Sequence, residues 1–308
     1  MLPRSMLQSL AREAGVPLCG AAAVAADGRA ATAVSLHLHP YDPDTAAFLP
    51  WLERTRVMRS DIRTFLPGAR SVVACAFPYA SRMAGHTGVV ARYACGEDYH
   101  TAAARRLGCF AALLSAACGG VATRWCSDTS PVSERYWAAA AGIGWTGRNG
   151  CLITAPFGSW VVLGIVATAA AIEPAPPVHH GCGDCHACIT ACPTGALEPG
   201  GMCRIGRCIS FWTVEARTAI PPGIRERMGD SRFGCDRCQA VCPFNEADCG
   251  AARLFEPDGR IVAMDAGLYE QCSSGEFLGM FRGTAVARSV NRGARVVEHG
   301  DAPLAPDA

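Results

Sequence analysis

Two runs of cysteine between residues 182 and 243 carry the most specific chemistry in this chain. The first is Cys182-x2-Cys185-x2-Cys188-x3-Cys192-Pro193, and the second is Cys235-x2-Cys238-x3-Cys242-Pro243, with Cys208 upstream of it. Two-residue spacers let three thiolates on one tight loop reach three corners of an iron–sulfur cubane. The longer spacer and the proline then turn the chain away, so the last thiolate of each run faces a neighbouring cluster. Crossing the runs predicts two [4Fe–4S] clusters. Cys182, Cys185, Cys188 and Cys242 hold cluster 1, and Cys192, Cys208, Cys235 and Cys238 hold cluster 2. Spacing leaves Cys203 open as an alternative to Cys208. A zinc site would need only two CxxC pairs, with no use for the extra Cys and the Cys-Pro step in each run. Disulfides would imply a secreted chain, whereas Met1–Leu10 has Arg4 but no apolar core of signal-peptide length.

A chain of 308 residues, half of them apolar and 18% charged, has the material for one large or two modest well-cored domains. Its longest apolar run, Trp160–Ile172, is too short to span a bilayer and reads as a buried central strand. The expectation is a soluble, cytoplasmic protein without a membrane segment, since 18 Cys suit a reducing compartment. All 28 basic residues are Arg. A lysine Schiff base and a P-loop lysine are therefore excluded. A net charge of +1 argues against a generally basic nucleic-acid coat, although Arg282, Arg288, Arg292 and Arg295 form a local basic stretch.

The elements that must position these groups are partly legible. Residues 1–20 read as a helix closed by Gly15, and residues 21–50 give no clear pattern. Ser71–Phe77 reads as a strand and Asp98–Cys118 as a helix ended by Gly119-Gly120. Pro131–Ala141 and Ser274–Phe281 are further helices. Gly142-x-Gly144-Trp145-x-Gly147-Arg148-Asn149 is a glycine-rich loop, but it follows a helix and precedes a strand, the reverse of a dinucleotide-binding turn. Pro174–Val178 is a linker, and the last ten residues read as frayed. The predicted organisation is an α/β domain over 1–173, a ferredoxin-like module with two clusters over 174–250, and a partly helical extension over 251–308.

The cysteine block does not stand alone. It is preceded by ARYACGEDYH at 91–100, by Asp128-x2-Pro131-Val132-x-Glu134-Arg135 and by AGIGWTGRN at 141–149. CISFWTVE at 208–215 and FGCDRCQAVCPFN at 233–245 complete an ordered set. Across about residues 55–290 this set resembles the epoxyqueuosine reductases, which complete the tRNA wobble base queuosine. The resemblance implies an α/β cobalamin-binding, reductase-like domain followed by the ferredoxin-like module, with base-off cobalamin beside two [4Fe–4S] clusters. It supports Cys208 as the eighth ligand and places the catalytic acid at Asp128. Its cobalamin-binding positions fall on Asp128, Arg59, Ala91, Leu152, Leu163 and Val166, with Ser210 and Glu215 near the cluster–corrin junction. Three features depart from the pattern. The sequence stops shortly after RGTAVAR, before the family's helical-repeat tail; Arg148 stands where Lys is usual; and residues 21–58 match poorly.

Such an enzyme has to join one-electron cubanes to a two-electron, two-proton reaction at an epoxide, which is the task of the corrin cobalt. Asp128 would supply the proton, or else cap a helix beginning near Pro131. Tyr93, Tyr99 and His100 are candidate pocket groups or core residues, and Glu134 and Arg135 a local ion pair or cofactor contacts. His179 and His180 read as linker residues. The implied partners are tRNA carrying the queuosine precursor, met by Arg282, Arg288, Arg292, Arg295, Arg204 and Arg217, and an external donor such as a flavodoxin or ferredoxin system. The protein is expected to be a monomer. Two other readings stay open: a cobalamin reductase of a small molecule, similar to reductive dehalogenases, and a two-cluster electron carrier.

Overall fold

The computed structural model describes residues 1–31, 49–176, 178, 181–216 and 218–292. His179, His180, Arg217, Arg295 and the frayed end lie outside these residues, as do residues 32–48 and the side chain of Arg292.

Four antiparallel strands form the central sheet, in the order β1 (Leu18–Ala23), β2 (Ser71–Pro78), β6 (Val161–Thr168) and β3 (Thr123–Cys126). β2 is buried at every position and β6 over its last five, so both read as continuous apolar runs rather than alternating ones. The strand expected in Trp160–Ile172 is thus the central β6. Residues 1–20 are not one helix. α1 (Arg4–Glu13) ends before Gly15, whose φ of +70° suits glycine, and the chain enters β1 at Leu18.

Helices cover both faces of the sheet. α4 (Tyr99–Ala117) begins where expected, with Asp98 accepting the His100 amide at its N-cap. It buries Leu107, Phe110 and Leu114 on the face that carries Val73, Cys75 and Phe77. α5 (Glu134–Ala140) buries Trp137 and its alanines against the other face, with Val72, Ala74 and Ala76. It starts three residues later than Pro131. Ser133 is its N-cap and makes no side-chain capping bond, so Asp128 is not a helix cap.

The short α2 (Pro50–Arg54) and α3 (Arg56–Ser60) precede β2. After the linker come α6 (Ala187–Thr190), within the first cysteine run, and α8 (Arg237–Ala240), within the second; α7 (Pro222–Met228) lies between them. The helix over Ser274–Phe281 opens with a capping box between Ser273 and Glu276. Phe277, Phe281 and Val286 are fully buried in the same core as α4 and β2, so the C-terminal residues complete the first layer of packing.

The glycine-rich loop forms a hairpin of β4 (Trp145–Thr146) and β5 (Leu152–Ile153). No helix among the described residues is long and apolar enough to cross a membrane.

Candidate active site

Cys182, Cys185, Cys188 and Cys242 line one small gap together with Arg148, Asn149 and Phe244. The thiols that act electrostatically on Cys188 are those of Cys182, Cys242 and Cys185, whereas Cys238 feels Cys235 and Cys208. Cys203 lies in hydrogen-bond contact with Cys208 and also feels Cys238 and Cys192. The hydrogen bond from Cys203, and then the amides of Phe211 and Ser210, favour the Cys208 thiolate against its burial. A crossed donor set of this kind suits two cubanes.

Two knots tie the clusters to the sheet. Asn245, at the end of the second run, accepts the Ser159 amide at 2.6 Å and donates to the Gln239 carbonyl at 2.8 Å, fixing the run to the start of β6. Asp236, between Cys235 and Cys238, accepts the main-chain amide of Arg92 at 2.8 Å and its guanidinium at 3.0 Å. Burial pushes the Asp236 carboxyl above its ordinary value, and Arg92 opposes that rise. A charged residue inside a cluster loop was the sequence signal for this bridge. The amide of Ala91 donates to the Phe233 carbonyl at 2.7 Å. Gly234 has a φ of +74°, and a Cβ there would stand 2.6 Å from the Ala91 side chain, so the loop leading into Cys235 has room only for glycine.

An open cavity of about 660 Å³ lies among the segments around Arg59, Tyr99, Asp128 and Cys208. Its lining includes Cys208, Ser210 and Glu215 together with Arg59, Tyr93, Tyr99, Asp128, Glu134 and Arg135. Sequence-expected positions from four distant segments thus converge on one space. Ala91, Leu152, Leu163 and Val166 are not in its lining. Ala91 is packed under Gly234, while Leu152 and Val166 are buried in the two cores and Leu163 lies on β6. Leu163 does support the site indirectly, because its carbonyl accepts the Ser127 hydroxyl at 2.6 Å, just before Asp128.

Ser210 leads into Phe211–Glu215, a π-helical turn of the kind that often marks functional positions. The Thr213 hydroxyl accepts the Gly234 amide at 3.0 Å and donates to the Ile209 carbonyl at 2.9 Å, linking the Cys208 and Cys235 segments. On the opposite wall, Arg59 donates to Thr55 at 3.1 Å and stacks over Trp51 at 5.0 Å.

Asp128 is the only non-glycine residue among those described with a positive φ, +57°. That left-handed conformation is uncommon outside glycine and is tolerated best by Asn and Asp. The Tyr99 hydroxyl donates to its Oδ2 at 2.7 Å. Burial, and then the charge of Asp128, push the Tyr99 hydroxyl far above its ordinary value, so it stays a donor. The amide of Asp128 donates to Glu134 Oε1 at 2.7 Å. Glu134 is therefore a latch beneath the loop, a role that the ion-pair reading missed. Arg135 donates to the Gly150 carbonyl. Desolvation, followed by the nearby Asp128, raises the Glu134 carboxyl from 4.5 to about 8.

Tyr99 is held from behind. His100 stacks on it at 4.0 Å between centroids, donates to Asp98 at 2.8 Å, and approaches Asp128 at 3.8 Å. Arg288 lies over the Tyr99 ring at 5.3 Å, within 2.8 Å of His100 and 3.5 Å of Asp98. The expectation that Arg288 meets tRNA phosphate is thereby corrected, since its guanidinium is spent on the pocket wall. Arg204 is likewise paired with Glu198, whereas Arg282 is exposed.

The cysteine-rich loops, and the cavity that Cys208 shares with the carboxylate of Asp128, suit an iron–sulfur oxidoreductase. Comparison with known proteins agrees. Residues 181–245 match the 4Fe-4S double cluster binding domain, and residues 59–129 match the epoxyqueuosine reductase QueG family model. The chain is 37% identical over 246 residues to an epoxyqueuosine reductase of Gloeobacter violaceus, covering 78% of this chain and 76% of that one. It is 32% identical over 249 residues to the Escherichia coli enzyme, covering 78% and 66%. A crystal structure of selenomethionine-labelled epoxyqueuosine reductase superposes with a TM-score of 0.80 at 29% identity, over 95% of this chain and 79% of that one. An epoxyqueuosine reductase solved with an epoxyqueuosine-modified tRNA-Tyr stem loop gives 0.79 at 28% identity, over 95% and 78%. The chain belongs to the epoxyqueuosine reductase family.

Proposed function

We propose that this protein reduces epoxyqueuosine in tRNA to queuosine, with Asp128 as proton donor and two [4Fe–4S] clusters as the electron path. The observation that carries this reading is the single cavity onto which both Cys208 and Asp128 open. Reduction of an epoxide to an alkene consumes two electrons and two protons and releases water, so an electron source and an acid must share the reacting space. A plain electron carrier has no use for such a chamber. The relative solved with a modified tRNA stem loop supports the substrate.

Cobalamin fits as the remaining cofactor, because the cavity is of small-molecule size and mixes aromatic and charged walls. Arg59, Tyr99, Ser210 and Glu215 would hold it. When bound, its cobalt supplies the change between one- and two-electron chemistry and a centre that acts on carbon. The chain's own residues do the rest. Cys208 brings cluster 2 to the cavity, and cluster 1 lies beside the half-exposed Val241 and Phe244, where an external donor has access. Tyr99 and Glu134 fix Asp128 at the mouth of the chamber. The test is genetic. Expressed in a strain lacking its own epoxyqueuosine reductase, the chain should restore queuosine to tRNA; persistent epoxyqueuosine with iron-loaded protein would redirect the reading to another substrate.

Glu134 supplies a second expectation. Glu134→Gln retains an oxygen to accept the Asp128 amide and should keep most turnover, whereas Glu134→Ala releases the loop and should lose roughly tenfold or more. The wild-type protein should also lose stability relative to Glu134→Gln as pH rises. Between 4.5 and about 8 the unfolded chain has released this proton while the folded chain still holds it, so unfolding gains with pH and the effect saturates above 8. Chemical denaturation of both proteins across that window measures the difference, and parallel curves would show that Glu134 is not titrating there.

A further inference from the structure

The glycine-rich loop is the one motif that the catalytic reading leaves without a task. Its final residues, Arg148 and Asn149, share the gap that Cys182, Cys185, Cys188 and Cys242 line. The Arg148 amide donates to Cys182 Sγ at 3.4 Å. Its guanidinium donates to the Gly183 carbonyl at 2.7 Å and the Pro199 carbonyl at 2.8 Å, strapping the first cysteine loop in place. Its Nε is buried without a partner. Asn149 Oδ1 accepts the Cys151 amide at 3.2 Å, and this settles which way its side-chain amide faces. The other half, Nδ2, is also buried without a partner.

Buried donors are rarely left unpaired, and two of them beside four cluster thiols call for an acceptor. We propose that Arg148 and Asn149 form a cap on cluster 1, donating hydrogen bonds to its sulfur atoms and raising its reduction potential. The direction follows from charge. A cubane gains negative charge when it takes an electron, and N–H donors with a permanent guanidinium charge stabilise that state more than the oxidised one. Cluster 2 has a different environment, since Asp236 sits between two of its ligands. The cap therefore acts on one cluster alone and sets which donors can reduce it.

This inference rests on the two-cluster reading, and one experiment separates them. The full chain, loaded with clusters anaerobically, is titrated by EPR beside Asn149→Leu and Arg148→Met. Iron content and the cluster 2 midpoint should stay unchanged. The cluster 1 midpoint should fall in each variant and further in the double variant. At fixed potential, the expected effect is about a tenfold change in its oxidised-to-reduced ratio, or 59 mV for one electron. Unmoved midpoints at full iron overturn the cap alone, whereas wild-type protein with iron for a single cluster overturns the cluster reading itself. Should a variant lose iron, the wild-type protein with ¹⁵N-labelled asparagine decides the matter. Electron–nuclear resonance on reduced cluster 1 should show coupling to a side-chain nitrogen, and its absence overturns the cap.

Discussion

Asp128→Asn should retain iron for both clusters and a near-normal melting temperature, yet lose about 10²-fold or more in turnover if proton transfer limits the rate. The structure explains why the fold should survive. Asn tolerates the left-handed φ of +57°, its oxygen can still accept the Tyr99 hydroxyl, and its amide can still reach Glu134. Only the ionisable proton is removed. Because α5 begins at Glu134 with Ser133 at its cap, a loss of activity cannot be assigned to helix capping. Single-turnover assays with reduced protein give the direct measurement. Wild-type turnover in the variant would leave the carboxylate as a shaping group for the loop and move the proton source elsewhere.

Cys185→Ser and Cys238→Ser should each remove about one cubane's worth of iron while leaving the other cluster, because serine is a poor, hard ligand for iron in these sites. Their consequences should differ. On the proposed ligand sets Cys238 shares its cluster with Cys208, which borders the cavity, so its loss should abolish turnover with any reductant. On the same assignment Cys185 belongs to the other cluster, in the gap that the half-exposed Phe244 lines. Its loss should chiefly disable reduction by a protein donor and leave slow turnover with a small, diffusible reductant. Iron and sulfide analysis with EPR tests the ligand sets, and paired assays with the two kinds of reductant test the order. Equal loss of both clusters in either variant would show that they load as one unit.

Much of this protein was legible before its structure. Spacers of two and three residues constrain thiolates through a few covalent bonds, so the local pattern of Cys182–Cys192 and Cys235–Cys242 implies cluster loops wherever the rest of the chain goes. Helices with strong local signals were equally plain: Asp98 and Gly119 bracket α4, and Ser273 with Glu276 opens the helix that runs to Phe281. The buried run in β6 declared a central strand by its length and apolarity, although not its neighbours.

Tertiary structure decided the remainder. The strand order β1-β2-β6-β3 departs from chain order, and it is this order that brings the Cys126 end of β3 beside β6, with the Asp128 loop just beyond. Asp128 meets Tyr99 across 29 residues and His100 meets Arg288 across 188. Neither pairing is implied by periodicity or spacing. The same holds for Glu134, which resembles any polar residue in the first turn of a helix until the loop above it is seen to hang from its oxygen. A local motif is set by bond lengths within a few residues. A site assembled from distant segments depends on how sheet, helices and cluster loops pack, and only the folded chain contains that information.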